Sequence, residues 1–183
     1  MFTFDIDEEL KLELVAAKHK KDIFTLTTKD KVYLGKWLPW VDQVEREEDT
    51  AAFIQNSRKR FAEQKSLEAV ILYHGEAAGI AGFNRIDMTN GVASVGYWLA
   101  AEFQGNGIMT RTVKALTDYA FVELSMNKVE VRAADENRSS RAVPERLGFI
   151  EEGTIREVEQ LRSGMVDHVV YGVLKREWEA TGS

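Results

Sequence analysis

Apolar and polar positions repeat along this chain with two different periods, and the switches between them mark its elements. Leu10, Leu12 and Leu14 alternate with Lys11 and Glu13, which predicts a half-buried strand. Residues 16–28 carry Ile23, Phe24 and Leu26 among lysines and predict a helix. The run Leu34-Gly35-Lys36-Trp37-Leu38-Pro39-Trp40-Val41 breaks both periods, and Pro39 disfavours helix at Leu38, so a loop is expected. Asp49 is an N-cap candidate for a helix over residues 50–64, with Phe53, Ile54 and Phe61 on its apolar side. Its Arg58-Lys59-Arg60 run reads as a solvated face. Residues 67–73 and 77–85 read as a hairpin around His74-Gly75-Glu76. Asn90-Gly91, a strong turn signal, leads into residues 92–99. Three strands joined by short turns predict an antiparallel meander.

Within residues 92–99, Ala93, Val95, Tyr97 and Leu99 share one face while Ser94, Gly96 and Trp98 share the other. Gly96 inside a strand predicts a bulge or a close backbone approach. Met109, Val113, Leu116, Ala120 and Leu124 then recur at helical spacing as a core stripe, leaving Arg111, Lys114 and Asp118 outside it. Residues 128–134 alternate again, so strand, helix and strand imply a parallel pair with a right-handed crossover. A short helix is expected over 141–147, closed by Gly148, in which Pro144 fits easily only in the first turn. Residues 149–158 and 165–174 predict a last hairpin around Arg162-Ser163-Gly164. With no linker, repeat or low-complexity stretch, residues 1–183 read as one α+β domain.

Composition changes this picture little. The chain has 183 residues, no cysteine and a net charge of −6. Disulfides, thiolate metal sites and a covalent cysteine intermediate are therefore excluded. Net acidity argues against broad nucleic-acid binding and allows a cationic partner. Met1 to Glu8 lacks the basic region and apolar run of a signal peptide, and no window is apolar enough to span a membrane. A cytoplasmic location is expected, with no membrane partner. His19, His74 and His168 do not cluster with metal-ligand spacing, so no metal is expected.

The chemistry begins at Phe103-Gln104-Gly105-Asn106-Gly107-Ile108-Met109-Thr110, between a strand and a helix. Glycines there permit a tight turn, and the first N–H groups of the helix lack intrahelical acceptors. Such a bend is either a phosphate-binding pocket or an ordinary turn in which glycine relieves strain. It is not a P-loop, because no Gly-Lys-Ser/Thr follows, and a dinucleotide fingerprint would need glycine where Thr110 stands. Trp37 and Trp40 either plug the end of a core or wall a substrate groove.

Three groups of residues together resemble the GNAT acyltransferases. Gln104-Gly105-Asn106-Gly107-Ile108-Met109 is similar to that family's loop for the coenzyme A pyrophosphate, with Met109 in place of its last small residue. Asn137-Arg138-Ser139-Ser140, followed by Leu147-Gly148-Phe149, resembles its Asn-x-x-Ser and Leu-Gly-Phe segment. Leu38-Pro39-Trp40 and the ending Gly164, Asp167, Tyr171, Glu177-Trp178 resemble the RimJ/RimL branch, which acetylates N-terminal amines of ribosomal proteins.

The resemblance implies a GNAT fold: a mixed sheet of about seven strands, a V-shaped opening between two parallel central strands, and about four flanking helices. It implies acetyl-CoA as cosubstrate, held by Trp98, Leu99, Ala100, residues 104–110, Asn137, Ser139 and Ser140. It also implies an amine acceptor lined by Trp37, Trp40 and Asn84. Without cysteine, transfer should be direct, in a ternary complex. The N–H near Leu99 is the candidate for the carbonyl oxygen, and Ser140 for protonating the sulfur, though its hydroxyl also suits a helix N-cap. Glu157 is the first candidate for a base, with Glu130 and Asp135 behind it; each also reads as a paired surface carboxylate. Arg111 or Lys114 would meet outer phosphates or stay solvated. Two further readings stand: a small amine, amino acid or antibiotic as acceptor within the enzyme class, and a non-catalytic acyl-CoA sensor. A nucleotide-binding oxidoreductase fits the glycine pattern poorly. The edge strand over 149–158 is expected to support a homo-oligomer.

Overall fold

A computed structural model describes residues 3–180; Met1 and Phe2, part of the segment read above for a leader, lie outside the described residues. Eight strands of the described residues form one sheet: β1 (Thr3–Asp5), β2 (Leu10–Leu14), β3 (Leu67–Tyr73), β4 (Glu76–Asp87), β5 (Val92–Leu99), β6 (Lys128–Ala134), β7 (Ile150–Leu161) and β8 (Gly164–Leu174). Their spatial order is β1-β2-β3-β4-β5-β6-β8-β7. Every neighbouring pair is antiparallel except β5–β6, which is parallel. The sheet gains one strand over expectation because Thr3–Asp5 pairs with β2. Three residues are too few to show a period.

Among the described residues six α-helices cover the sheet: α1 (Lys20–Lys29), α2 (Lys31–Leu34), α3 (Glu47–Ala62), α4 (Ile108–Val122), α5 (Arg138–Arg146) and α6 (Lys175–Ala180). The two beyond the expected four, α2 and α6, span only 4 and 6 residues. The sheet separates two cores, because alternate side chains of a strand point to opposite faces. On one face Leu12, Ile71, Phe83, Val95 and Val131 meet the α4 stripe of Met109, Val113, Leu116 and Ala120. On the other, Val70, Ile80 and Trp98 meet Ile23 and Leu26 of α1 and Ile54 of α3. Thus β5 contributes Ala93 and Val95 to one core and Trp98 to the other, as its alternation predicts.

Several local expectations change. The helix start is earlier than Asp49: α3 begins at Glu47, and the Asp49 carboxylate accepts the backbone N–H groups of Glu45 and Arg46 at 3.0 Å each. Asp49 therefore reaches back from inside the first turn rather than capping from outside it. Phe53 leaves the apolar side of α3 and is half exposed, while Ile54 is buried. The proline segment is not an irregular loop. Pro39–Gln43 forms a 3-10 turn with Pro39 at its first position, where a missing N–H is harmless, and Leu38 is extended as a pre-proline residue should be.

The bulge expected at Gly96 lies on the neighbouring strand. Gly96 pairs in register with Gly82, whereas Asn84 is the extra residue between Phe83 and Arg85. Gly96 is needed for the other expected reason, close approach: a Cβ there would stand 2.1 Å from Asn84 Nδ2. Gly82 is constrained harder, since a Cβ would meet the Leu67 carbonyl oxygen at 1.8 Å, and backbone cannot swing aside as a side chain can. Gly82→Ala is expected to lower the unfolding free energy by about 1–3 kcal/mol, the usual range for overpacking. A thermal melt unchanged from the parent would show that β3 and β4 separate freely here.

Candidate active site

The site starts where two parallel strands part. β5 and β6 are paired from Val92↔Lys128 to Val95↔Val131 and no further. β6 continues on its other side, pairing with β8 as far as Ala134↔His168, so the separation opens on the β5 side. The Ala100 N–H donates to the Ala78 carbonyl at 2.9 Å. Backbone groups alternate direction along a strand, so the N–H of Leu99 points the opposite way, into the opening. A strand edge with free donors and acceptors is thus held open inside the sheet.

The glycine loop stands at one end of this opening. Gly105 and Gly107 have φ of +81° and +67°, a left-handed conformation that side chains disfavour. Gly107 is the residue before α4, and the first N–H of that region to find a helical acceptor is Arg111, which donates to Gly107 O at 3.1 Å. The N–H groups of Ile108, Met109 and Thr110 therefore face outward at the positive end of the helix dipole. No atom lies within 4 Å of an added Cβ on either glycine, so side chains leave the bend clear. The Asn106 amide donates to the carbonyl of Phe103 at 3.2 Å, and Gln104 hydrogen-bonds the Tyr33 hydroxyl, which ties the loop down on both sides.

A cavity of about 1110 Å³ joins this loop, the opening and the space beneath α1–α3. Trp37, Trp40, Phe53 and Trp98 wall its far end, and the rings of Trp40 and Trp98 are 6.2 Å apart. The tryptophans of the proline segment therefore wall a groove rather than plug a core. Asn84 and Glu68 lie on the floor. Burial raises the Glu68 carboxyl above its ordinary value, against the lowering effects of its Ser66 hydrogen bond and of Arg60. The β7–β8 turn reaches across to this wall, with Arg162 bound to both carboxylate oxygens of Asp42.

α5 forms the opposite side. It starts at Arg138, three residues earlier than expected, because Asn137 is its N-cap and accepts the Ser140 N–H at 3.3 Å. Ser140 is therefore in the first turn and is not the cap, which leaves its hydroxyl for other work. Arg141 fastens this helix to the sheet through the Tyr171 hydroxyl at 2.8 Å and the Asp135 carbonyl at 3.0 Å. Arg146 extends from its last turn to Thr110 Oγ1 at 3.1 Å and places a guanidinium beside the first turn of α4.

The cavity lining gathers Trp37, Trp40, Asn84, Trp98, Leu99, Gln104, Gly105, Gly107, Ile108, Met109, Thr110, Asn137, Ser139 and Ser140. Ala100 is buried with its N–H committed to β4, and Asn106 is exposed on the outside of the loop. Glu157 is not in the lining. It sits at φ +45° in a bulge between Ile155 and Glu159, and its N–H donates to Asp167. Residues 156–158 stand against the single residue 167, so the bulge takes Glu157 out of the ladder while Glu159 keeps the face of Ile155 and enters the cavity wall, 2.8 Å from His168 Nε2.

Glu130 and Asp135 are also outside the lining. Burial alone would push the Glu130 carboxyl up, but Lys128 and Arg132 hold it below its ordinary value. Arg111 is bound by Asp7 and Glu9, and Lys114 by Asp118, so both are surface ion pairs. Arg146, Glu159 and His168 also line the cavity, beyond the site residues expected from the sequence. No period marks the first, Glu159 shares the period of Glu157 and is told from it only by the bulge at 157, and His168 meets Glu159 only through the β7–β8 register. Among the described residues no group of three or more His, Asp or Glu side chains could hold a metal ion.

Comparison with known proteins agrees with this geometry. Residues 9–150 match the model of the acetyltransferase (GNAT) domain family. The chain is 37% identical to the putative ribosomal N-acetyltransferase YdaF of Bacillus subtilis over 98% of each protein. It is 31% identical to the ribosomal-protein-serine acetyltransferase of Escherichia coli, covering 92% of this chain and 94% of that one. Among solved structures, RimL, a ribosomal L7/L12 alpha-N-protein acetyltransferase in complex with coenzyme A, superposes with a TM-score of 0.91. It has 26% identity and covers 94% of this chain and 98% of its own.

Gly107→Ala tests the loop. An alanine there is held at φ +67°, which costs about 1–2 kcal/mol in the left-handed region. The affinity for coenzyme A, measured by calorimetry, is expected to fall about tenfold, since about 1.4 kcal/mol is a factor of ten. Unchanged affinity would remove the bend from the binding site.

Proposed function

The chain belongs to the GNAT acetyltransferases, and we propose that it transfers the acetyl group of acetyl-CoA directly to the N-terminal α-amine of a ribosomal protein or peptide. One conjunction carries the reading. The outward N–H groups at the start of α4 open onto the unpaired edge of β5, and that edge opens onto an aromatic-walled cavity. A cosubstrate with a diphosphate at one end, an extended amide-bearing arm and a thioester at the other fits those three regions in that order. The cytoplasm is the expected setting.

Each residue has work that its position allows. Gly105 to Thr110 offer backbone donors to the diphosphate, with Arg146 adding a charge beside them. The Oδ1 of Asn137 is engaged by Ser139 and Ser140, so its amide nitrogen is the group offered to the arm. Leu99 directs its N–H at the thioester carbonyl oxygen, which gains charge when the amine nitrogen attacks the carbonyl carbon. The carbon–sulfur bond then breaks, and Ser140 passes its proton to the departing sulfur and regains one from solvent. Glu159, steadied by His168, takes up the proton released by the amine, directly or through water. An α-amine titrates near 8, so a weak base suffices. Trp37, Trp40 and Phe53 offer ring faces to an acceptor that arrives as a cation, and Glu68 an acidic floor.

Ser140→Ala is expected to lower kcat by roughly 100-fold or more, in the range of a lost general acid, with the KM for acetyl-CoA nearly unchanged. Wild-type turnover in that variant removes Ser140 from the mechanism. The acceptor is tested by coenzyme A thiol release over peptide N-termini, polyamines, aminoglycosides and amino acids. Turnover with peptides is expected. Turnover confined to polyamines or aminoglycosides would transfer the reading to a small amine, and cofactor binding without turnover on any amine would make the protein a sensor.

A further inference from the structure

Pro144 sits inside α5, one of the walls of the site, as its seventh residue. In a regular helix the N–H of residue 144 would donate to the carbonyl of residue 140. Proline has no such hydrogen, and its ring crowds that same carbonyl. The deprived acceptor belongs to Ser140. A part-buried carbonyl without a donor is destabilising, and here a different element provides one: the Tyr97 hydroxyl donates to Ser140 O at 2.8 Å. Tyr97 comes from β5, just past Val95, where that strand has left β6. Burial holds its phenol well above the ordinary value, so the hydroxyl keeps its proton for donation.

We propose that Tyr97 is a positioning residue: it gives the Ser140 carbonyl the hydrogen bond that Pro144 cannot, and so fixes the first turn of α5 across the opening from β5. The inference rests on the reading of Ser140 as proton donor. Arg141 secures the same helix toward β8 and the Asp135 carbonyl, on the far side. Tyr97 spans the opening itself. One bond therefore sets the distance between the Leu99 N–H, two residues along the same strand, and the Ser140 hydroxyl on the same residue as the bound carbonyl. Those are the two donors that must serve one thioester together.

The proposal makes a specific claim about pairs of substitutions. Tyr97→Phe removes only the donor, and kcat is expected to fall about three- to tenfold with acetyl-CoA KM within about twofold, the pattern of an interaction used in the transition state. Pro144→Ala restores an N–H at position 144 and is expected to turn over like the parent. In Tyr97→Phe/Pro144→Ala the loss should shrink to within about twofold of the parent, because coupled partners are not additive. A readout independent of turnover accompanies these: the amide of residue 144 in both Pro144→Ala proteins should be protected from hydrogen exchange, as a donor to Ser140 O is. Equal losses from Tyr97→Phe with and without Pro144, or an unprotected amide at 144, overturn the proposal. Adding Tyr97→Phe to Ser140→Ala separates the two readings. No further loss is expected, whereas the same loss again would mean that Tyr97 acts by another route. If Ser140→Ala alone turns over normally, the proton-donor reading fails first, whatever Tyr97 does.

Discussion

Hydrogen bonding between β5 and β6 stops after four residue pairs, and the rest of the site depends on that interruption. A strand in mid-sheet normally spends its N–H and C=O groups on both neighbours, and leaving them unpaired in a buried place is unfavourable. Here the far side of β6 stays paired with β8, and the far side of β5 with β4, so the two halves of the sheet remain intact while the seam between them opens. The exposed edge of β5 is then a template for anything extended that carries amides. It also faces the first turn of α4, whose own donors are unpaired for the separate reason that every helix begins that way. Two sets of free donors, one from a strand and one from a helix, converge on one opening.

What holds the opening to a fixed width is a set of side chains rather than the backbone. Arg141 binds α5 to β8, Tyr97 binds it to β5, and Arg146 binds its end to the start of α4. At the aromatic wall of the cavity, the doubly bonded Arg162–Asp42 pair joins the β7–β8 turn to the tryptophan segment. Such a bidentate pair sets orientation as well as distance. The wall carrying Glu159 and His168 is thereby held opposite the wall carrying Trp37 and Trp40. Asn84, bulged out of β4 and lying over Gly96, shapes the floor between them.

Much of this was legible in the chain because it follows from local rules. The strand periods of β2 to β6 and the stripe on α4 are direct consequences of burying one face of a regular element. The glycine loop was legible because a left-handed φ at 105 and 107 leaves few residue choices. The misplacements have local causes too. Asp49 and Ser140 are each of a type that caps helices, yet Asp49 caps from within the first turn and Ser140 yields the cap to Asn137. Glu157 was selected by its strand position, and a bulge that sets three residues of β7 against one of β8 lifts Glu157 out of the ladder while Glu159, two residues on, stays on the inward face.

The sequence by itself determined the longer elements, their order and the glycine bend before α4, since period, glycine placement and the polar Asn137 to Ser140 run act within a few residues of one another. Tertiary structure alone decided where the sheet opens, which carboxylate faces the cavity and which hydroxyl serves the carbonyl that Pro144 leaves free. Those outcomes join residues 43 positions apart in the case of Tyr97 and Ser140, and 120 apart in the case of Arg162 and Asp42. Contacts at such separations arise from the register of strands and the packing of helices on them, and no local pattern encodes either.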